Sequence, residues 1–133
     1  KAKAAGMRSG FHNHAKEFEL VNGVTKLDMI FSNTPQDFLV QIDIGWAANA
    51  GQDLPALLRK YANRIETVHV KEHSATKPGA AVGAGDVKWV PLFDLLEKES
   101  RIDTYVIEQE KHEVDRMQTV KECMDNMRKM GRG

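Results

Sequence analysis

Residues 64–72, with the sequence RIETVHVKE, decide the fold of this 133-residue chain. The first part of this stretch is rich in β-branched residues, which favour a buried, pleated strand. Its C-terminal end carries the ionisable side chains of His69, Lys71 and Glu72, which are rarely buried without a partner or a task. This pattern is typical of a parallel α/β sheet, in which ligands bind beyond the carboxyl ends of the strands.

Three further segments have the same character, and each ends in polar or ionisable side chains. The predicted strands cover residues 7–14, 38–43, 64–72 and 104–110. Apolar residues at helical spacing predict helices over residues 26–32, 53–62, 89–98 and 113–130. The residues of the last helix that are spaced to face the core are Val114, Met117, Val120, Met124 and Met127. We expect a short turn of helix at 35–37, a loop at 45–51 and a long loop at 73–88. Repeated strand–helix units predict a parallel sheet with right-handed crossovers.

The bulk composition is that of one ordinary globular domain covering residues 1–133. Nineteen basic and nineteen acidic residues balance, which gives no electrostatic reason to expect nucleic-acid or membrane binding. No apolar run approaches the roughly 18 residues of a membrane span. Cys123 is the single cysteine, so no intrachain disulfide is expected, and a cytoplasmic location is the natural expectation.

Four polar side chains, one from each predicted strand end, form a candidate metal-ligand set. His12, Asp43, His69 and Glu108 are separated by 31, 26 and 39 residues, each gap about the length of one strand–helix unit. Two imidazoles and two carboxylates suit Mn²⁺, Zn²⁺, Co²⁺ or Fe²⁺ better than Ca²⁺. Such an ion could polarise a carbonyl and lower the cost of removing a proton from the neighbouring carbon.

Five segments in this order resemble the sugar phosphate isomerase/epimerase family, the xylose-isomerase-like TIM barrel group. They are residues 10–14 (GFHNH), 42–47 (IDIGWA), 64–72, 82–89 (VGAGDVKW) and 106–110 (VIEQE). The resemblance implies a (β/α)8 barrel of the α/β class, of which this chain supplies about four units. These units match the C-terminal half, from the fifth strand to the eighth helix.

The resemblance also implies site residues. The family places its metal on a Glu, an Asp, a His and a Glu, and the last three match Asp43, His69 and Glu108. The first falls near His12, where this sequence has a His-Asn-His cluster. His14 and Glu17 remain alternatives for that position, since alternation along a strand puts His12 and His14 on one face.

The activity implied is that of a sugar, sugar phosphate or polyol isomerase or epimerase that transfers a proton next to a carbonyl. The expected cofactor is a divalent ion, Mn²⁺, Zn²⁺, Co²⁺ or Mg²⁺, and the expected catalytic residues are Glu108 and Lys71. The residues expected to contact the substrate are His14, Glu17, Trp46 and Glu110. The alternatives are a lyase, dehydratase or keto-glycoside hydrolase that uses the same ion, or a non-catalytic sugar-binding half barrel.

A four-stranded half barrel has two unpaired sheet edges, which is a liability in an isolated chain. We therefore expect a partner in addition to a small-molecule sugar. The partner is the missing half barrel, in the same or a separate chain, or a second copy that makes a homo-oligomer. Plainer interpretations also exist: His69 as a core histidine, Asp43 as a turn cap, and Lys71 as a solvated side chain at the barrel rim.

Overall fold

The structure is a computed structural model that describes residues 1–112 and 115–133. The strands are β1 (Gly10–His12), β2 (Leu20–Val21), β3 (Val24–Thr25), β4 (Leu39–Asp43), β5 (Ile65–Val70) and β6 (Thr104–Ile107). The helices are α1 (Lys26–Ser32), α2 (Ile44–Asn49), α3 (Leu54–Tyr61), α4 (Trp89–Glu99) and α5 (Arg116–Lys129). Short 3-10 turns cover Lys3–Ala5, Ala15–Phe18 and Ala62–Arg64.

A parallel four-stranded sheet in the order β1–β4–β5–β6 organises the molecule. Apolar side chains on its outer face pack in one core with side chains of α3 and α4, and those of Ile42 and Val68 are fully buried there. The predicted alternation of strands and helices is therefore confirmed. The architecture is half of a TIM barrel, with the helices on one face of the sheet and the barrel interior on the other.

The strands are shorter than the sequence predicts, because the polar residues at their carboxyl ends lie beyond the regular ladder. β1 stops at His12, β5 stops at Val70, and β6 stops at Ile107. Just past the end of β1, the side chain of Asn13 takes the place of backbone hydrogen bonds to β4. Its amide oxygen accepts from the N–H of Asp43, and its amide nitrogen donates to the carbonyl of Asp43. Of the residues expected to carry chemistry, His12, Asp43 and His69 thus lie at or next to the last position of a strand, and Lys71 and Glu108 follow just past a strand end.

Two predictions for the connections are wrong. Residues 45–51 are not a loop, since α2 covers most of this segment. Asp43 caps the start of α2 by accepting a hydrogen bond from the N–H of Trp46. Residues 35–37 belong to a turn between α1 and β4 and are not helical. The long segment 73–88 contains no helix or strand, as predicted.

The buried face of α5 also differs from the prediction. Met117 and Val120, predicted to face the core, are 74% and 38% exposed. Met127 is buried as predicted, and Cys123 is buried as well. The reason is that α5 packs against the long loop, where the N–H of Val82 donates to the sulfur of Cys123. Val114, another predicted core residue, lies outside the described residues. Among the residues described, no helix combines the length and apolar character that a membrane crossing requires.

Arg64 ties the connection between α1 and β4 to the start of β5. The residue is 8% exposed. Its guanidinium donates to the carbonyls of Phe31, Pro35 and Phe38 and to the hydroxyl of Thr34, at 2.8–3.0 Å. A segment without secondary structure of its own is therefore held by one buried cation.

At the amino end of the sheet, the carboxylate of Glu66 pairs with two arginines. Arg8 donates to one of its oxygens, and Arg101 lies 3.0 Å from the other. The hydrogen bond from Arg8 lowers the pKa of Glu66, burial opposes this, and the charge of Arg101 lowers it further.

Candidate metal centre and active site

Four side chains from four adjacent strands converge beyond the carboxyl ends of the sheet. His12, Asp43, His69 and Glu108 each offer one ligand atom, and these atoms all lie within 4.8 Å of one another. The structure thus brings together the four residues that the sequence singled out as a ligand set.

The register of the parallel strands explains the convergence. Asp43 is paired with His69, and His12 is paired with Gln41, two positions before Asp43. The N–H of Glu108 donates to the carbonyl of Val70 at 3.3 Å and continues the β5–β6 pairing past the end of the strand. Since side chains alternate along each strand, all four donors point to the inner face.

Asp43 divides its two carboxylate oxygens between structure and site. Its Oδ1 accepts from the N–H of Trp46 at 2.7 Å, whereas its fully buried Oδ2 has no hydrogen-bond partner among the described residues. Asn13, itself fully buried, fixes the backbone of Asp43 through bonds of 3.0 and 3.3 Å. One carboxylate oxygen is therefore held in place and left available to a ligand.

The two imidazoles differ in their electrostatic surroundings. Burial and the charge of His69 lower the pKa of His12. Burial also opposes the charged form of His69, but Asp43 and Glu108 outweigh it and raise the pKa of His69. Nδ1 of His69 lies 3.5 Å from Oδ2 of Asp43 and in contact with Oε2 of Glu108. In Glu108, burial is outweighed by the hydrogen bond and charge of Lys71, which lower its pKa.

The donor set fits a divalent metal ion. Nδ1 of His12 and Oδ2 of Asp43 are buried and unpartnered among the described residues, a costly state unless a further group satisfies them. Two nitrogens and two carboxylate oxygens are a coordination shell suited to Mn²⁺, Zn²⁺ or Co²⁺. His12, Asp43, His69 and Glu108 are thus the residues that could hold an ion.

His14 and Glu17 lie beside the four-donor cluster, not within it. The N–H of His14 donates to Oε2 of Glu17 at 2.7 Å, in a capping box that starts the 3-10 turn Ala15–Phe18. The His14 ring centroid lies 4.7 Å from that of His12 and 5.8 Å from that of Trp46. Of the three alternatives for the first ligand, His12 is the one that the geometry groups with the others.

Lys71 connects the cluster to an open cleft. Its Nζ donates to Oε1 of Glu108 at 3.1 Å, lies 2.9 Å from Oε2 of Glu110, and lies 5.0 Å from the centroid of the Trp46 ring. Its backbone passes so close to Gly45 that a Cβ there would lie 2.6 Å from the carbonyl oxygen of Lys71. Only glycine fits at that position without moving the lysine.

The cleft has a volume of about 210 Å³ and opens beside Lys71, with residues of α2, the 73–88 loop and the end of β6 around it. Trp46 and Glu110, two of the residues expected to contact the substrate, line it. Gln109 shapes one side, because its Nε2 donates to the carbonyls of Gly79 and Lys111 at 2.9 and 2.7 Å.

Sequence reasoning gave no role to Asn13, Glu72 or Gln109, although each positions part of this site. For Asn13 a signal existed. Alternation places it on the outer, buried face of β1, where an amide requires partners. The roles of Glu72 and Gln109 depend on the path of the 73–88 loop, which has no periodic pattern to read.

Comparisons with known proteins agree with this architecture. Two solved structures of sugar phosphate isomerase/epimerases from Parabacteroides distasonis superimpose with TM-scores of 0.82 and 0.79, at 23% and 25% identity. They cover 94% and 96% of this chain, which spans 46% and 48% of theirs. Inosose dehydratases from two strains of Clostridium perfringens are 26% identical over 72% of this chain and 38% of their own length. No protein-family model matches the chain.

Proposed function

Since the chain forms a half barrel of the xylose-isomerase-like, sugar phosphate isomerase/epimerase type, we propose that it provides the metal centre of a metal-dependent sugar isomerase or epimerase. The reaction is proton transfer at a carbon next to a carbonyl. The observation that carries the proposal is the four-donor cluster, with ligand atoms within 4.8 Å of one another, beside the lysine–carboxylate pair.

His12, Asp43, His69 and Glu108 are the proposed metal ligands. When bound, a divalent ion supplies Lewis-acid polarisation of a carbonyl oxygen and a neighbouring hydroxyl. Asn13 holds Asp43 in place, and contact with Asp43 and Glu108 fixes the His69 ring.

Glu108 and Lys71 are the proposed proton-transfer groups. The lowered pKa keeps Glu108 ionised, so that its carboxylate can accept a proton from carbon. Lys71, 3.1 Å from Glu108 and 2.9 Å from Glu110, can donate to an oxygen of the substrate and be re-protonated through Glu110. Return of the proton to the neighbouring, former carbonyl carbon completes an isomerisation. An epimerisation instead requires a second group to protonate the original carbon on its opposite face.

Trp46 and the side chains around it provide the proposed sugar-binding surface. The indole ring presents an apolar face next to Lys71, suited to the C–H side of a sugar ring. The proposed hydroxyl contacts are His14, Glu17 and Glu110.

A dehydratase is the second candidate, favoured by the similarity to inosose dehydratases. It begins with the same removal of a proton next to a carbonyl. The dehydratase reaction differs only in the fate of the carbanion, which expels a hydroxyl from the adjacent carbon instead of regaining a proton. Lys71 is placed to protonate that leaving oxygen.

The other wall of the site is proposed to come from a second half barrel, either a further half or another copy of this chain. β1 and β6 are the sheet edges among the described residues, and Val106 on the inner face of β6 is 37% exposed. A sheet with open edges and an uncovered inner face needs a partner. Sedimentation velocity tests this, and a strictly monomeric chain at all concentrations contradicts the second-copy version.

The decisive experiment combines metal analysis with proton exchange. The purified protein is loaded with Mn²⁺, and a panel of keto-sugars and keto-polyols is incubated in D₂O. We expect deuterium uptake next to the carbonyl. Glu108→Gln should abolish it, and the exposed, distant Glu99→Gln serves as the matched control. Loss of one water from the product identifies the dehydratase, whereas bound Mn²⁺ without exchange contradicts an enzyme and favours a sugar-binding domain.

A further inference from the structure

The carboxylate of Glu72 is surrounded by N–H donors from the segment that follows β5. Its Oε1 accepts from the backbone of His73 at 3.0 Å and of Val87 at 3.2 Å. Its Oε2 accepts from the backbone of Gly83 and from the indole Nε1 of the buried Trp89, both at 2.7 Å. Converging backbone N–H groups of this kind are the arrangement with which loops bind free anions.

The 73–88 loop is wrapped closely around this internal anion. A Cβ on Gly85 would lie 2.6 Å from Cγ of Glu72, so the loop approaches as closely as glycine allows. Two further backbone N–H groups of the loop bond acceptors inside the loop. The N–H of Asp86 donates to the carbonyl of His73, and the N–H of Ala75 donates to the carboxylate of Asp86, each at 2.8 Å. The loop therefore directs its donors toward acceptors of its own chain.

The start of α5 shows the same feature. Oδ1 of Asp115 accepts from the N–H groups of Met117 and Gln118, at 2.9 and 3.2 Å. In TIM barrels a phosphate is frequently held by the loops after the last two strands together with a helix N-terminus. Here the last two strands are β5 and β6, and carboxylates of the chain occupy both positions.

The lysines along the cleft do not offer a phosphate group a substitute for these N–H donors. Lys71 is compensated by Glu108 and Glu110, with N–O distances of 3.1 and 2.9 Å. Lys111 also lines the cleft, but its side chain is exposed to solvent. A phosphate dianion would meet a wall whose central donors are filled by a like charge, which is an arrangement that rejects it.

We propose that the site takes an uncharged keto-sugar or keto-polyol and not a phosphate ester, and that Glu72 is the residue that determines this specificity. The inference rests on the proposed function and narrows its substrate class. Glu72 acts by filling the donor nest that a phosphate group would need, while it holds the loop in the shape that forms one wall of the cleft.

The first test is a titration of the ¹⁵N-labelled protein with inorganic phosphate, followed by NMR. We expect no saturable shift of the backbone amides of Gly83 and Val87 or of the indole N–H of Trp89. A saturable shift of these three signals overturns the proposal, because it places phosphate in the nest despite Glu72.

The second test removes the internal anion. Glu72→Ala empties the nest and should bind phosphate at least about tenfold more tightly than the wild-type protein, the effect of roughly one hydrogen bond to an anion. Glu72→Gln is the space-matched control and should show no such gain, since its amide still fills the nest. A folded Glu72→Ala variant without the gain overturns the role of Glu72. If that variant does not fold, the wild-type titration decides.

The third test separates this inference from the proposed function. Dissociation constants of a free ketohexose and of its 6-phosphate ester are measured on the Mn²⁺-loaded protein. The ester should bind no more tightly than the free sugar, and an ester bound about tenfold more tightly overturns the inference. Failure to bind Mn²⁺ instead overturns the proposed function, and leaves the phosphate titrations as an independent result.

Discussion

Replacement of Asn13 by leucine should both destabilise the chain and weaken its metal site. Asn13 is fully buried, and its side chain bonds the N–H and the carbonyl of Asp43 at 3.0 and 3.3 Å. Leucine has a similar volume, so the main effect is two buried backbone groups without partners. Each costs about 1–3 kcal/mol, which gives a total of about 2–6 kcal/mol. That is a large share of the roughly 5–15 kcal/mol that stabilises a typical domain.

The assay is urea denaturation followed by circular dichroism, together with calorimetric titration with Mn²⁺. Because Asn13 supports a proposed ligand from behind, its loss should weaken Mn²⁺ binding by about 10- to 100-fold. Asn33→Leu is the matched control. Asn33 is an exposed asparagine that bonds the carbonyl of Met29, and its loss should change stability by no more than about 0.5 kcal/mol. An Asn13→Leu variant as stable as the control, with unchanged Mn²⁺ affinity, would refute this reasoning.

Three further predictions concern other parts of the molecule. Arg64→Met should lower the free energy of unfolding by about 3 kcal/mol, since the carbonyls of Phe31, Pro35 and Phe38 lose a charged donor. The exposed Arg59→Met should change it by under about 0.5 kcal/mol in the same denaturation assay. Gly45→Ala should push Lys71 from Glu108 and reduce deuterium exchange into substrate while Mn²⁺ binding persists; unchanged exchange contradicts the placement of Lys71. The pKa of Glu66 is held below its ordinary 4.5, so its carboxylate stabilises the fold above that pH and loses this contribution as the pH falls through its folded-state pKa. Glu66→Gln should therefore reduce the loss of stability at acid pH. If stability falls with pH as in the wild-type protein, Glu66 is not a source of this acid sensitivity.

The inner face of the sheet could be predicted from the sequence because it follows from alternation alone. Once residues 64–72 are a strand, His69 and Lys71 share one side, and the parallel order of the strand–helix units brings Asp43 and Glu108 to the same rim. The same reasoning could not find α2. The segment after Asp43 has the composition of a loop, and its helix depends on a cap that the carboxylate provides only in the folded chain.

The role of Glu72 could not be predicted for a related reason. Its donors come from His73, Gly83, Val87 and Trp89, which are brought together by a loop without hydrophobic periodicity. Local patterns encode which face a residue occupies, whereas contacts within an irregular loop depend on its whole path. The exposed Met117 and Val120 were misplaced because helical spacing does not reveal what the rest of the fold offers to cover them.

All four donor side chains come from one uninterrupted stretch, residues 12–108, on strands that are neighbours in space. These four donors and the wall that faces them across the barrel can therefore be inherited separately. Recombination that replaced the opposite side of the barrel would leave the four side chains untouched while it altered that wall. A lineage built in this way could change the facing surface without rebuilding the donor cluster.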